Sequence, residues 1–343
     1  MHSPARPAAW AGLLFGALLM TTTPARSAEA YDQLVALWQE WRTLERPALR
    51  DGAPDYTAAT VARRHEQLKR QQQRLAAIDP SGWTRGQRID YALVRAQMNG
   101  MDFEIRVLQP WARDPAYYQS VWTEQSDTPE HEGPTHHALV ELWQYEFPLA
   151  RGGEAKLAAQ LRTIPPLLRQ ARLNLTGNAR DLWITGTGTM HGQVASLDDL
   201  AAKTSGAGPD LRRAIAAARA ATVEFVAWLE QQAPGKTGPS GIGKEAYDWS
   251  LRHVHLVPMT WDEEVTLLKR ELARAHAALR LEEQRNRGLP PLAAPDNAEE
   301  YAKKANDAVT RYMAWLTAKD IFDVEPYLEP ALRAHVDAFV PLE

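Results

Sequence analysis

Apolar positions recur along this chain with the 3.6-residue period of an amphipathic helix, and almost nowhere with the alternation of a strand. Tyr31, Leu34, Trp38 and Trp41 step by three, four and three, which puts them on one stripe. Val61, Leu68 and Leu75 repeat at seven in a basic, glutamine-rich segment, and Ile89, Leu93, Ala96, Gly100 and Phe103 keep the rhythm. Leu211, Ile215, Ala218, Phe225 and Trp228 predict another helix, as do Val265, Leu268, Leu272, Ala275 and Leu279. Thr260 stands three before Glu263, and Asp296 three before Glu299, the spacing of a capping box at a helix start. The stretch ITGTGTM, 184–190, alternates weakly, and a helix end with a loop accounts for it as well. Proline and glycine gather between the stripes, at 52–54, 113–118, 233–241 and 288–295. The pattern predicts an all-α protein of roughly ten helices. The loop at 233–241 is the natural hinge between a first helical subdomain, 29–232, and a second, 233–343, with room for a groove between the two.

Residues 1–28 read differently. Arg6 lies in a short positive region, an apolar run follows from Ala8 to Met20, and small residues come next, with cleavage expected after Ser27, Ala28 or Ala30. This is the pattern of an export signal, too short and wrongly flanked for a membrane span. No later apolar run is long enough for a span, so a periplasmic or secreted protein is expected. The chain has no cysteine. An exported protein of this kind must be held by packing or a bound ion, because disulfides are not open to it. At 343 residues the chain is long enough to bury an adequate core. The net charge of −4 is spread with basic and acidic residues interleaved, which argues against nucleic acid as a partner.

The candidate chemistry is carried by histidines. HEGPTHH, 131–137, offers His131, Glu132, His136 and His137 as an apparent zinc set. A zincin helix needs its histidines four apart, so that both imidazoles leave one face. Here the spacings from His131 are five and six, and Pro134 interrupts any helix between them. The segment reads better as a loop leading to a helix capped by Thr135, on which His137 and Glu141 would share a face. GPSGIGKE, 238–245, places Gly238, Gly243 and Lys244 in phosphate-loop register, but Glu245 stands where a magnesium-binding hydroxyl belongs, and a helix precedes it instead of a strand. In HVHLVP, 253–258, His253 and His255 would share a side only in extended chain, and a place near a helix C-terminus suits them better. His191 has no evident partner. Trp38, Trp41, Trp228 and Trp315 fall on apolar stripes as core residues, whereas Tyr117, Tyr118, Trp122, Trp143 and Tyr145 straddle a loop and could line a groove. Asn174 opens a glycosylation sequon that a bacterial-type export signal makes irrelevant.

RDPAYYQSVWT at 113–123, RTIPPLLRQARLNL at 162–175 and GIGKEAYDWSLRHVHLVPMTWDEEVTLLKRELAR at 241–274 together carry a resemblance. In order and spacing they resemble the bacterial family known as domain of unknown function 885, whose members are all-helical and related to zinc peptidases. The resemblance runs from about Tyr31 to the end. It implies a peptidase-like helical array with a substrate channel. It also implies a zinc motif, an HE pair followed by PGHH and an EGW segment, downstream of the helix capped at Thr260. Nothing of that kind follows residue 260 here, and HEGPTHH comes too early, is one residue too short, and has Thr135 in the glycine position. The chain is therefore expected to correspond to the N-terminal half of such a protein, incomplete at its C-terminal side. No catalytic residue and no metal ligand carry over to it, and the zinc belongs to a full-length member. Three readings stay open. The first is a half that is not catalytic alone and is prone to self-association, its C-terminal half being encoded separately, lost by truncation or not needed. The second is a zinc hydrolase built on HEGPTHH. The third is a periplasmic peptide-binding or scaffold module.

Overall fold

The computed structural model describes residues 23–124, 140–290, 293–336 and 339. Helix α1 (Thr23–Glu45) is followed by a minimal hairpin, β1 (Leu49–Arg50) and β2 (Ala53–Pro54). Next come α2 (Ala58–Ala76) and α3 (Arg85–Phe103), which runs into a π-helical turn at Glu104–Leu108. A short α4 (Pro110–Arg113) and a 3-10 turn at Pro115–Tyr118 lead to β3 (Val121–Trp122), which pairs in parallel with β4 (Val140–Glu141). Then follow α5 (Arg151–Leu161), α6 (Ile164–Asn174), α7 (Arg180–Lys203), α8 (Pro209–Gln232) and α9 (Lys244–His253). The last elements are α10 (Trp261–Arg285), α11 (Ala298–Lys319) and α12 (Leu328–Ala334). Ten helices of ten or more residues, with only two-residue strands among the described residues, make the protein all-α as the periodicity predicts. No described helix is long and apolar enough to cross a membrane.

By its contacts the chain falls into two units, 1–266 and 267–343, a division inside α10 and C-terminal to the loop at 233–241. That loop is stitched to its surroundings. The N–H groups of Thr237 and Gly238 both donate to the Asn178 side chain, and Arg113 donates to the carbonyls of Pro239 and Ser240.

The first unit holds two apolar cores. In one, Leu34, Leu37 and Trp41 of α1 meet Leu68 and Leu75 of α2 and Val94, Met98 and Met101 of α3. The heptad Val61, Leu68 and Leu75 is buried, as its spacing requires. The α3 stripe is not the expected one, since Ile89 and Leu93 are half exposed and 94, 98 and 101 face the core. The other side of α3 receives α9: Phe103 stacks on Trp249 with centroids 5.6 Å apart, and a side chain at Gly100 would meet Val254 at 3.3 Å. Apolar residues on two sides of one helix defeat a single-stripe reading. The second core joins α5 to α8. Leu211, Ile215, Ala218 and Phe225 of α8 are buried as predicted, against Trp183, Met190, Leu197 and Leu200 of α7. Residues 184–190 lie inside α7, and do not end a helix.

Along α10 and α11 most apolar positions are exposed, Leu316 of α11 being the buried exception. None of α10 is buried, and Trp315 of α11 is 47% exposed, so it is no core residue. The Thr260 box forms as expected, with Glu263 N–H donating to the Thr260 hydroxyl and the Glu263 carboxylate accepting from Thr260 N–H at 2.8 Å. The α11 cap is one residue later than predicted: Asn297 accepts from Glu300 N–H at 2.9 Å, while Asp296 N–H donates to the Glu300 carboxylate.

Gly186 is a packing requirement. A Cβ there would lie 2.7 Å from the Ala116 backbone nitrogen and 2.9 Å from Pro115, whereas Gly188, on the open side of the same helix, has nothing within 4 Å. Gly186→Ala is expected to destabilise by about 1–3 kcal/mol through overpacking. Gly188→Ala is expected to stabilise by up to about 1 kcal/mol through helix propensity. Urea unfolding midpoints of the two variants should move in opposite directions, and equal shifts would contradict this packing.

Candidate functional site

Two segments outside the long helices, 53–57 and 104–121, run through the helical interior, and the peptide groups their short elements leave unpaired must find partners there. Two buried glutamines supply them. Gln170 of α6 accepts from Tyr56 N–H and donates to the Pro54 carbonyl at 3.0 Å. Gln193 of α7 accepts from Ser120 N–H at 2.7 Å and Val121 N–H at 3.1 Å, and donates to the Thr222 hydroxyl of α8. Asn174 adds bonds to the Tyr56 carbonyl and the Tyr118 hydroxyl, each at 3.1 Å. The Tyr118 hydroxyl in turn donates to the Trp111 carbonyl at 2.7 Å.

These bonds bring three phenols together. Tyr56 and Tyr117 meet edge to face with centroids 4.9 Å apart, and Tyr117 and Tyr118 at 5.4 Å, an arrangement that ring quadrupoles favour. Burial pushes all three hydroxyls above the ordinary phenol range, so they stay protonated at neutral pH. Glu104, first residue of the π-turn, adjoins the cluster. Burial pushes its carboxyl up to about 7, with the Arg64 guanidinium working against the rise and the Glu45 carboxylate adding to it. Asp114, which accepts from Ala116 N–H at 2.9 Å, is likewise raised by burial.

Arg64 looks both ways. It donates to the main-chain carbonyl of Glu45, and its Nε–H is buried with no hydrogen-bond partner among the described residues. On its other side opens a cleft of about 840 Å³ between α1 and α2, whose charged lining is Glu40, Arg46, Arg63, Arg64, Arg70 and Arg74. The arrangement thus offers a carboxyl able to exchange protons near neutrality, neutral phenols beside it, and a positively charged cleft next door.

His131, Glu132, His136 and His137 lie outside the described residues, as does most of the export signal. Glu141 is in β4, so the helix expected from Thr135 does not extend through it. Lys244 pairs with Asp262 at 2.7 Å and lies 3.8 Å over the Trp261 ring, a helix-joining role. His253 packs on Trp249, and His255 N–H bonds back to the Ser250 carbonyl, so both end α9 as its polarity favours. His191 does have a partner, Glu230 at 2.9 Å. Of the expected groove aromatics, Tyr117 and Tyr118 are buried, Trp122 and Trp143 are over a third exposed, and Tyr145 donates to Gln160. Among the described residues no three His, Asp or Glu groups converge as metal ligands. Two constellations escaped the sequence reading. One is Glu104 with its tyrosines. The other is His65 with Asp102, 2.8 Å apart, where burial raises the Asp102 carboxyl but bonds from Arg106 and His65 outweigh it and hold it low. The only local signal for the first was the AYY triplet at 116–118.

A model of the bacterial family of unknown function DUF885 matches residues 43–328. A comparison with curated proteins finds no match. Among solved structures, a protein from Shewanella oneidensis described as a presumed lipoprotein of unknown function is similar, with 16% identity and a TM-score of 0.50. The match covers 90% of this chain and 59% of that one, and the likeness is one of fold.

Glu104 makes a pH signature. Its folded pKa, about 7, lies above the ordinary 4.5, so between those values the native state binds more protons than the unfolded chain. Stability therefore falls as pH rises through that window, by on the order of 3 kcal/mol in full. Glu104→Gln should remove most of the fall between pH 5 and pH 8, read as urea midpoints; an unchanged fall would rule out this source.

Proposed function

Because the chain belongs to the bacterial family of unknown function DUF885, we propose that it is the helical framework part of a metallopeptidase-like protein and does not hydrolyse peptides by itself. The observation supporting this reading is the open apolar stripe of α10. Leu268, Leu272 and Leu279 are 59%, 57% and 56% exposed, on a helix of 25 residues with no buried member. Spacings of four and seven put the three leucines on one side, the form of a helix face that packs against further helices. The solved structure it resembles has more chain than this one spans, which favours a larger assembled fold as the setting of that face. The zinc of a full-length member is assigned to the further part.

The same reading places the protein outside the cytoplasm. The pattern of residues 1–28 supports export, and the lipoprotein description of the fold neighbour points the same way. Intact-mass measurement on protein recovered from the periplasm should show loss of the N-terminal segment at Ser27, Ala28 or Ala30; recovery of the uncleaved chain from the cytoplasm would overturn export.

Purified chain is expected to show no peptide hydrolysis above blank, with or without chelator. Turnover that a chelator abolishes would refute the proposal and favour a zinc hydrolase built on His131, Glu132, His136 and His137. Light scattering should reveal concentration-dependent association of the isolated chain, reduced in a Leu268→Glu, Leu272→Glu double variant.

A further inference from the structure

We propose that the cleft between α1 and α2 is a binding site for a small molecule carrying two or more oxyanion groups. Its charged lining is five guanidinium groups against one carboxylate, Glu40. That carboxylate is already spent on Arg74, which it holds through two contacts, one at 3.1 Å. The remaining arginines have no carboxylate of their own in the cleft. Arg63 donates to the Thr60 hydroxyl at 2.7 Å, and Arg64 to a main-chain carbonyl, both neutral acceptors. Neither Arg46 nor Arg70 has a hydrogen bond or ion pair among the described residues.

Three features point to a ligand in place of a merely solvated basic face. First, the groups line a concavity of about 840 Å³, the size class of small-molecule sites. Second, Arg64 is half-buried, and its Nε–H donor is buried without an acceptor, which in a folded protein is a cost unless something accepts it. Third, the arginines are spread lengthwise. Arg63, Arg70 and Arg74 lie on one side of α2 at spacings of seven and four, so the row spans roughly 16 Å at 1.5 Å per residue. A single monovalent anion cannot satisfy a row of that length. A ligand with separated charges can, each group taken by a planar guanidinium fork. Phosphoryl and carboxylate groups share this chemistry.

The test is titration calorimetry on the full chain with inorganic pyrophosphate and with citrate, and with inorganic phosphate as the comparator. At 50 mM salt, at least one of the two polyanions should bind with a dissociation constant below 1 mM and at least tenfold more tightly than phosphate. Preference for pyrophosphate assigns a phosphoryl ligand, preference for citrate a polycarboxylate, and either supports the site. Arg46→Ser with Arg70→Ser removes two exposed side chains that hold no native bond, so the fold should survive, as far-ultraviolet circular dichroism will show. Binding should weaken at least tenfold in that variant. Arg169→Ser with Arg212→Ser makes the same charge change at two exposed positions outside the cleft lining and should leave binding within twofold. Absence of binding by both polyanions, or equal losses in the two double variants, overturns the proposal.

Discussion

Two buried amides hold this protein's irregular chain inside a helical body. Gln170 and Gln193 are 8% and 1% exposed, and each serves peptide groups that neither a helix nor a sheet ladder could satisfy. A primary amide is suited to this because it accepts and donates at once. Removing either would take the side-chain partner from two backbone groups, at the desolvation cost of each. Helices α6, α7 and α8 thus do more than fill a core. They carry the fixtures that fix where Tyr56, Tyr117 and Tyr118 sit, and with them the wall against which Glu104 is set.

The electrostatics grow from that wall. Burial strips water from the Glu104 carboxyl, and the Arg64 guanidinium opposes the resulting rise. The same guanidinium belongs to the lining of the α1–α2 cleft, so the interior cluster and the open cleft share one charge. Whatever changes the surroundings of Arg64 on one side alters the field on the other. Arg46, Arg63 and Arg70 are exposed, and their mutual repulsion in water is small. The fold tolerates them easily.

Much of the architecture was legible in the chain because helices announce themselves locally. The seven-residue repeat at Val61, Leu68 and Leu75 and the α8 stripe from Leu211 to Phe225 each faced a single core, so pattern and burial coincided. The α3 stripe was misread because α9 packs on a second side. The leucines of α10 were read correctly as a stripe, but periodicity tells which face is apolar and not what covers it. The candidate site was almost illegible. Tyr56 reaches its fixing amide across 114 residues of sequence, and Glu104 looks like any acidic residue at the end of a helix. The residues that the fold brings together around Glu104 carry no motif that marks them in the sequence.

The π-turn at Glu104–Leu108 closes with a hydrogen bond from Gln109 N–H to the Glu104 carbonyl at 2.8 Å, five residues back instead of four. Such a turn is a helix holding one residue more than its pitch allows. Each residue of an α-helix advances the chain by about 100° around the axis. The surplus residue therefore acts as a rotary offset, and everything after it, from Pro110 to the two tyrosines, is aimed by that angle. Excising one residue from 104–108 would leave α3 intact as a helix and yet point Arg113, Asp114 and their successors away from Gln193. The chain's aim depends on its count, and relatives that differ by one residue here should be read as carrying a differently oriented interior, not merely a shorter loop.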